Sequence, residues 1–137
     1  MNIKINKWLC PPGYAILLFG TIYVRDLKHY LLLTQPYSYI YNHERIHEKQ
    51  ADGNWILFYL KYILFYLKHI YWIIYNIKAP YKFHPMEIEA YKNQYDLNYI
   101  FKSNAGKEYK KYTKIPKEII KNFYKDKLDY YNFILKL

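Results

Sequence analysis

At 137 residues the chain has the size of one ordinary domain, and its lone cysteine, Cys10, excludes an intramolecular disulfide and any multi-cysteine zinc cluster. A net charge of +10, with lysines concentrated after residue 100, favours anionic surfaces by long-range attraction. No RNP-type motif, zinc finger or arginine-rich run makes that charge a specific nucleic-acid signal. Twenty tyrosines swell the hydrophobic share to 53%, yet the mean hydropathy of −0.36 is that expected of a soluble protein.

Lys4 and Lys7 precede the apolar run Tyr14 to Val24, in the manner of a secretory signal. Pro11-Pro12-Gly13 opens that run, however, no small-x-small cleavage site follows, and Arg25-Asp26 ends it. A pair of buried strands or one long bent strand is expected instead, and a cytoplasmic or peripheral-membrane location over secretion. Residues 14–19 and 21–25 are β-branched and aromatic, with Gly20 suited to a bulge or tight bend. Residues 29–33 read as another short strand or lead-in. Thr34-Gln35-Pro36 predicts a helix start, Thr as cap and Pro in the first turn, and Asp52-Gly53-Asn54 stops that helix after Ala51.

Residues 54–77 are the most apolar segment, broken by a narrow stripe in which Asn54, Lys61, Lys68 and Tyr75 recur every seven residues. The segment is long enough for a membrane span. Two mid-run lysines, at about 2.5–3.5 kcal/mol each on the insertion scale, weigh against one. A central core helix is the expectation, with a helix lying on a membrane surface as its rival. Lys78-Ala79-Pro80 ends the segment, and Pro85 opens a helix reaching about Phe101. Residues 102–114 read as a linker. Pro116 begins a last helix with Ile119, Ile120, Phe123, Leu128 and Tyr131 on one face and Lys117, Lys121 and Lys125 on the other. The expected fold is α+β and mainly helical: short N-terminal strands, then three or four helices. Residues 1–101 are expected to form the main domain, which also carries a metal-binding motif, His43 to His47, and 102–137 a basic linker and amphipathic helix packed on or appended to it.

Chemistry concentrates in His43-Glu44-Arg45-Ile46-His47, an H-E-x-x-H sequence on the first long helix. Residues four apart share a helix face with Cβ atoms about 5–6 Å apart, so two imidazoles can grip one zinc ion. The intervening Glu44 sits about 100° round the helix, placed to act as general base without ligating the metal. A catalytic zinc needs a third protein ligand. The metzincin continuation is excluded, because Gln50 stands where its Gly and Gly53 where its third His would be. Glu87 or Glu89, about 200° apart on the helix opened by Pro85, supplies the ligand instead, with His84 a further alternative. A first-turn acid there also suits the helix dipole without any metal.

Laid on the gluzincin pattern E-x-x-x-D, the helix resembles that group with Glu87 as ligand and Tyr91 in the place of the Asp that supports a ligating His. Over residues 11–100 the chain also resembles a group of small uncharacterised bacterial proteins, common in Bacteroidetes, and their phage relatives. The shared features are Pro12-Gly13-Tyr14, Leu18 to Asp26, Asn42 to His47 with Gln50, the apolar helix, and Glu87-Ile88-Glu89-Ala90-Tyr91. The resemblance implies a minimal zincin-like core and brings no established substrate; the H-E-x-x-H motif makes a metallopeptidase using Zn2+ on a peptide or protein substrate the leading expectation. Its rivals are a catalytically inactive, zinc-stabilised structural module, for instance in a phage particle, and a binder of anionic membrane surfaces.

Overall fold

A computed structural model describes residues 1–137. A three-stranded sheet comes first: β1 (Asn2–Ile5), β2 (Ala15–Leu18) and β3 (Thr21–Val24) in the order β1-β3-β2, with β1 parallel and β2 antiparallel to β3. The β2–β3 hairpin pairs Leu18 with Thr21 across a two-residue turn in which Phe19 and Gly20 both have positive φ, the turn geometry that matches strand twist. β1 was not foreseen. Its polar-apolar alternation is only four residues long, and it is recruited by the open edge of β3.

Seven α-helices follow, so the class is α+β and mainly helical, with more and shorter helices than the sequence suggests. Residues 29–33 are not a strand but part of α1 (Leu27–Thr34), because the Asp26 carboxylate accepts the His29 N–H at 3.0 Å and caps a helix there. Thr34 ends that helix, its hydroxyl donating back to the Tyr30 carbonyl at 3.0 Å. The motif helix α2 (Tyr39–Ala51) is capped instead by Ser38.

Residues 54–77 are two pieces, α3 (Trp55–Lys68) and a 3-10 turn (Ile70–Ile74), and no helix is long and apolar enough to cross a membrane. The break falls at His69. Its N–H is shared between the Phe65 and Tyr66 carbonyls, and the chain swings to bury Trp72. The expectation of a core helix here is corrected: Phe58 is the one buried residue of α3.

Residues 83–90 are buried without exception, and they hold the helix at the centre, α5 (Pro85–Asn93). Between the 3-10 turn and α5, α4 (Ala79–Lys82) starts at Ala79-Pro80 where an end was expected, Pro being tolerated in a first turn. α5 itself stops eight residues before Phe101. Residues 102–114 are no free linker. Ala105 and Gly106 are buried, and a Cβ on Gly106 would meet the Lys49 carbonyl carbon at 2.5 Å. The last helix is likewise divided, into α6 (Lys117–Lys125) and α7 (Tyr130–Ile134), with a positive φ at Lys127 between them and Leu128 exposed. Ile120, Phe123 and Ile134 join Trp72, Ala79, Phe83, Ile88 and Tyr112 in the largest cluster of the core. Each such fully buried aliphatic contributes about 1.5–3 kcal/mol.

Candidate metal centre

α2 and α5 pack side by side and are tied at one end by Asn42, whose side-chain amide donates to the Gln94 and Asp96 carbonyls at 2.8 and 3.1 Å. Ile46, on the inner face of α2, packs against Ala90, whose small side chain lets the two helices approach. This pairing brings His43 and His47 opposite Glu87. The Nε2 atoms of the two imidazoles lie 3.2 Å apart. Glu87 Oε2 is 3.4 Å from His43 Nε2 and Oε1 is 3.4 Å from His47 Nε2. One ligand atom from each of the three buried side chains falls within 4.8 Å of the others, a cluster able to hold a metal ion.

The surrounding hydrogen bonds show which atoms of the cluster are left without a partner. Gln50 donates both its amide hydrogens, to the Met86 carbonyl at 2.9 Å and to Glu89 at 3.1 Å, so its oxygen must face His47 Nδ1, 2.7 Å away. His47 Nδ1 therefore carries the hydrogen, and in the neutral ring Nε2 turns a lone pair to the cluster. The Tyr62 hydroxyl donates to Glu87 Oε1 at 2.8 Å, whereas Glu87 Oε2 is buried with no hydrogen-bond partner. An orphaned buried carboxylate oxygen is costly, and a metal ion would satisfy it. The donor set and this orphaned atom fit a divalent cation such as zinc.

Electrostatics agree. Burial disfavours charge on Glu87, yet the facing imidazoles of His47 and His43 hold its carboxyl well below the usual range. Burial alone would depress His47, but the carboxylates of Glu87 and Glu44 overturn that and carry it to about 9. The cluster thus retains positive charge between its ligands, as a proton or, in exchange for it, a metal. Burial raises Glu44, against the opposing pull of His43 and His47.

Glu44 faces a cavity of about 300 Å³, lined also by the three cluster residues, β2, Phe58, Tyr59, Tyr62 and Tyr81. A second hollow of about 260 Å³ shares Ala15, His43, Glu44 and Tyr81 with it. Glu44 and His43 therefore stand where two hollows meet, beside Ala15 at the start of β2 and Tyr81.

The other site residues fall differently. Glu89 lies away from the cluster, and all of its acceptor capacity is spent elsewhere. Its oxygens take the Tyr99 hydroxyl at 2.8 Å, the Gly106 N–H at 2.7 Å, the Tyr109 N–H at 2.9 Å and the Gln50 amide at 3.1 Å. His84 caps α5: its Nδ1 accepts the Met86 N–H at 3.2 Å, and Nε2 donates to the Tyr62 carbonyl at 3.1 Å. Neither nitrogen is left for a metal. Tyr91 supports His43 by packing its ring against the imidazole, centroids 4.5 Å apart, not by a hydrogen bond; its hydroxyl meets that of Tyr81 at 3.3 Å, and His43 Nδ1 has no partner. The groups that do orient ligands, Gln50 for His47 and Tyr62 for Glu87, escaped the sequence reading. Gln50 carried a usable signal, three residues after His47 on the same helix face. Tyr62 carried none.

No family model, curated protein or solved structure matches the chain, so the geometry alone bears the functional reading.

Proposed function

We propose that the protein is a zinc-dependent hydrolase of peptide or related amide bonds, a minimal gluzincin-like enzyme in which His43, His47 and Glu87 hold the metal and Glu44 is the general base. The observation that carries this reading is the convergence of two imidazoles and a carboxylate with an orphaned oxygen, beside a buried glutamate opening on the same cavity. Two nitrogens and one oxygen make the ligand set of catalytic zinc sites, which leave a fourth position open. Zinc in such a set supplies a Lewis acid and lowers the pKa of water from 15.7 to about 7.

Glu44 takes the proton of the attacking water and passes it to the leaving amine. Its raised pKa suits both halves of that task, since a base must release the proton it accepts. Tyr81 lines both hollows, and burial keeps its hydroxyl protonated far above neutral pH, so it is placed to donate to the developing oxyanion. β2 is an edge strand lining the cleft, and hollows on both sides of Glu44 suit an extended chain on each side of the scissile bond.

Metal analysis of purified protein, paired with hydrolysis of a broad peptide library, tests the proposal. Stoichiometric zinc is expected in wild type and in Glu44→Gln and lost in His43→Ala, with hydrolysis down about 10²–10⁴-fold in Glu44→Gln. Absence of zinc from the wild type would sink the metal assignment. Zinc without hydrolysis would leave a metal-stabilised structural module.

A further inference from the structure

The outer face of α3 is uniformly aliphatic. At 100° per residue, Ile56, Leu60, Ile63, Leu64 and Leu67 fall within an arc of about 100°, and their exposures run from 52% at Leu60 to 77% at Ile56. Apolar stripes of this continuity are uncommon on a surface that meets only water. Lys61 and Lys68 flank the stripe on one side, and Tyr59 and Tyr66 on the other. The inner face is aromatic and belongs to the core and the cavity, through Phe58, Tyr62 and Phe65. The helix is therefore apolar on both faces, aromatic toward the core and aliphatic toward the outside.

We infer that this face docks on an anionic lipid surface. Three observations choose lipid over a second copy of the chain or another protein. First, from Asn54 to Met86 there is no Asp or Glu, while Lys61, Lys68, Lys78 and Lys82 lie there. A second copy would bring only further lysines to that segment, whereas a layer of anionic headgroups neutralises them. Second, lysines bordering an aliphatic stripe on one helix are the sequence arrangement of a helix lying in the interface plane. Third, Phe19 stands at the tip of the β2–β3 hairpin with φ +46°, a backbone region that bulky residues avoid, and 63% exposed. Tyr59 holds it there, accepting the Phe19 N–H at 3.1 Å and packing ring against ring at 5.3 Å. The fold thus maintains a strained turn that displays an aromatic side chain beside the aliphatic stripe.

Docked in this way, α3 sits with its stripe in the acyl boundary and its inner face on the cleft. The site then lies about one helix diameter, 10–12 Å, from the lipid surface.

The inference stands apart from the hydrolase proposal, because its readout involves neither zinc nor turnover. Full-length protein is floated with vesicles of phosphatidylcholine alone or of phosphatidylcholine with phosphatidylserine. Binding to the anionic vesicles that weakens with added salt is expected, with little binding to the neutral ones. Leu60→Ser with Leu64→Ser should abolish it. Lys61→Gln with Lys68→Gln, which leaves the stripe intact, should weaken it about 30-fold, from about 1 kcal/mol for each lysine. Circular dichroism and an unchanged denaturant midpoint show that the variants fold. Failure to float with anionic vesicles, equal binding to neutral ones, or binding indifferent to both double variants would overturn the inference. So would a concentration-dependent dimer, seen by light scattering, that the Leu60/Leu64 variant abolishes.

Discussion

α3 and α5 exchange the roles that their sequences advertise. α3 is a run of leucine, isoleucine and aromatic residues interrupted by lysine, and it lies on the surface with one residue buried. α5 reads Pro-Met-Glu-Ile-Glu-Ala, with two acids in three residues, and its first six residues are buried. The difference lies in what each helix has to offer its neighbours. α5 brings polar groups whose partners come from several elements, and each partner fixes its burial: His84 caps it, Tyr62 and the imidazoles meet Glu87, and two loop N–H groups meet Glu89. α3 brings apolar area, which has no direction, and the core is already filled by Trp72, Phe83, Ile88, Phe123 and Ile134. In a chain this small, specific polar partners decide which helix is central.

The sharpest way to break that comparison lies in the two glutamates of α5. Glu89→Leu strands four donors and should cost about 3–5 kcal/mol in denaturant unfolding, the range for breaking a buried charged network. By releasing Gln50 it should also weaken metal binding about 10–100-fold, the usual effect of removing a ligand's supporting contact. Glu87→Gln, two residues away, should lose the metal yet cost less than Glu89→Leu when both are compared with metal-free wild type, because the amide keeps the Tyr62 contact and His47 can become neutral. Equal destabilisation by both would show that the cluster is ordinary core.

His84 gives a smaller, pH-dependent test. Burial lowers its pKa from 6.5 to about 4, and protonation would also remove the lone pair that caps α5. Between those values the unfolded chain binds a proton that the folded chain refuses. Stability should therefore fall as pH drops from about 6.5 to 4, by about 3 kcal/mol from this group, and level off below. His84→Asn, which keeps a capping acceptor, should flatten that slope in unfolding measured across the range.

The smallest effect belongs to α3. Leu64→Ser on its outer face should shift unfolding by no more than about 0.5 kcal/mol, as exposed substitutions do. A cost of several kcal/mol would mean that the stripe is covered within the fold.

The parts legible in the sequence are those that a single element encodes. The spacing of His43 and His47 places both rings on one face, Gly20 marks the hairpin, and Pro85 marks the first turn that carries Glu87. Glu87 and Glu89 could not be separated by periodicity, because what distinguishes them is remote: Tyr62 for one, and Gly106 and Tyr109 for the other. Breaks at His69 and Lys127 were hidden for a related reason. Neither residue is a helix breaker, and the chain bends there to seat Trp72 and Ile134.

Tyr59 has one more consequence. Besides accepting the Phe19 N–H, its hydroxyl donates to the Leu17 carbonyl at 2.8 Å, so one side chain occupies a backbone group of β2 and one of the turn that follows it. An open strand edge invites the same strand of another molecule, and proteins commonly blunt such edges with charge, proline or a bulge. Here a phenol plugs the hairpin end of the strand and leaves the Ala15 end open. Only a short length of edge at the Ala15 end is then left for an extended chain to pair with.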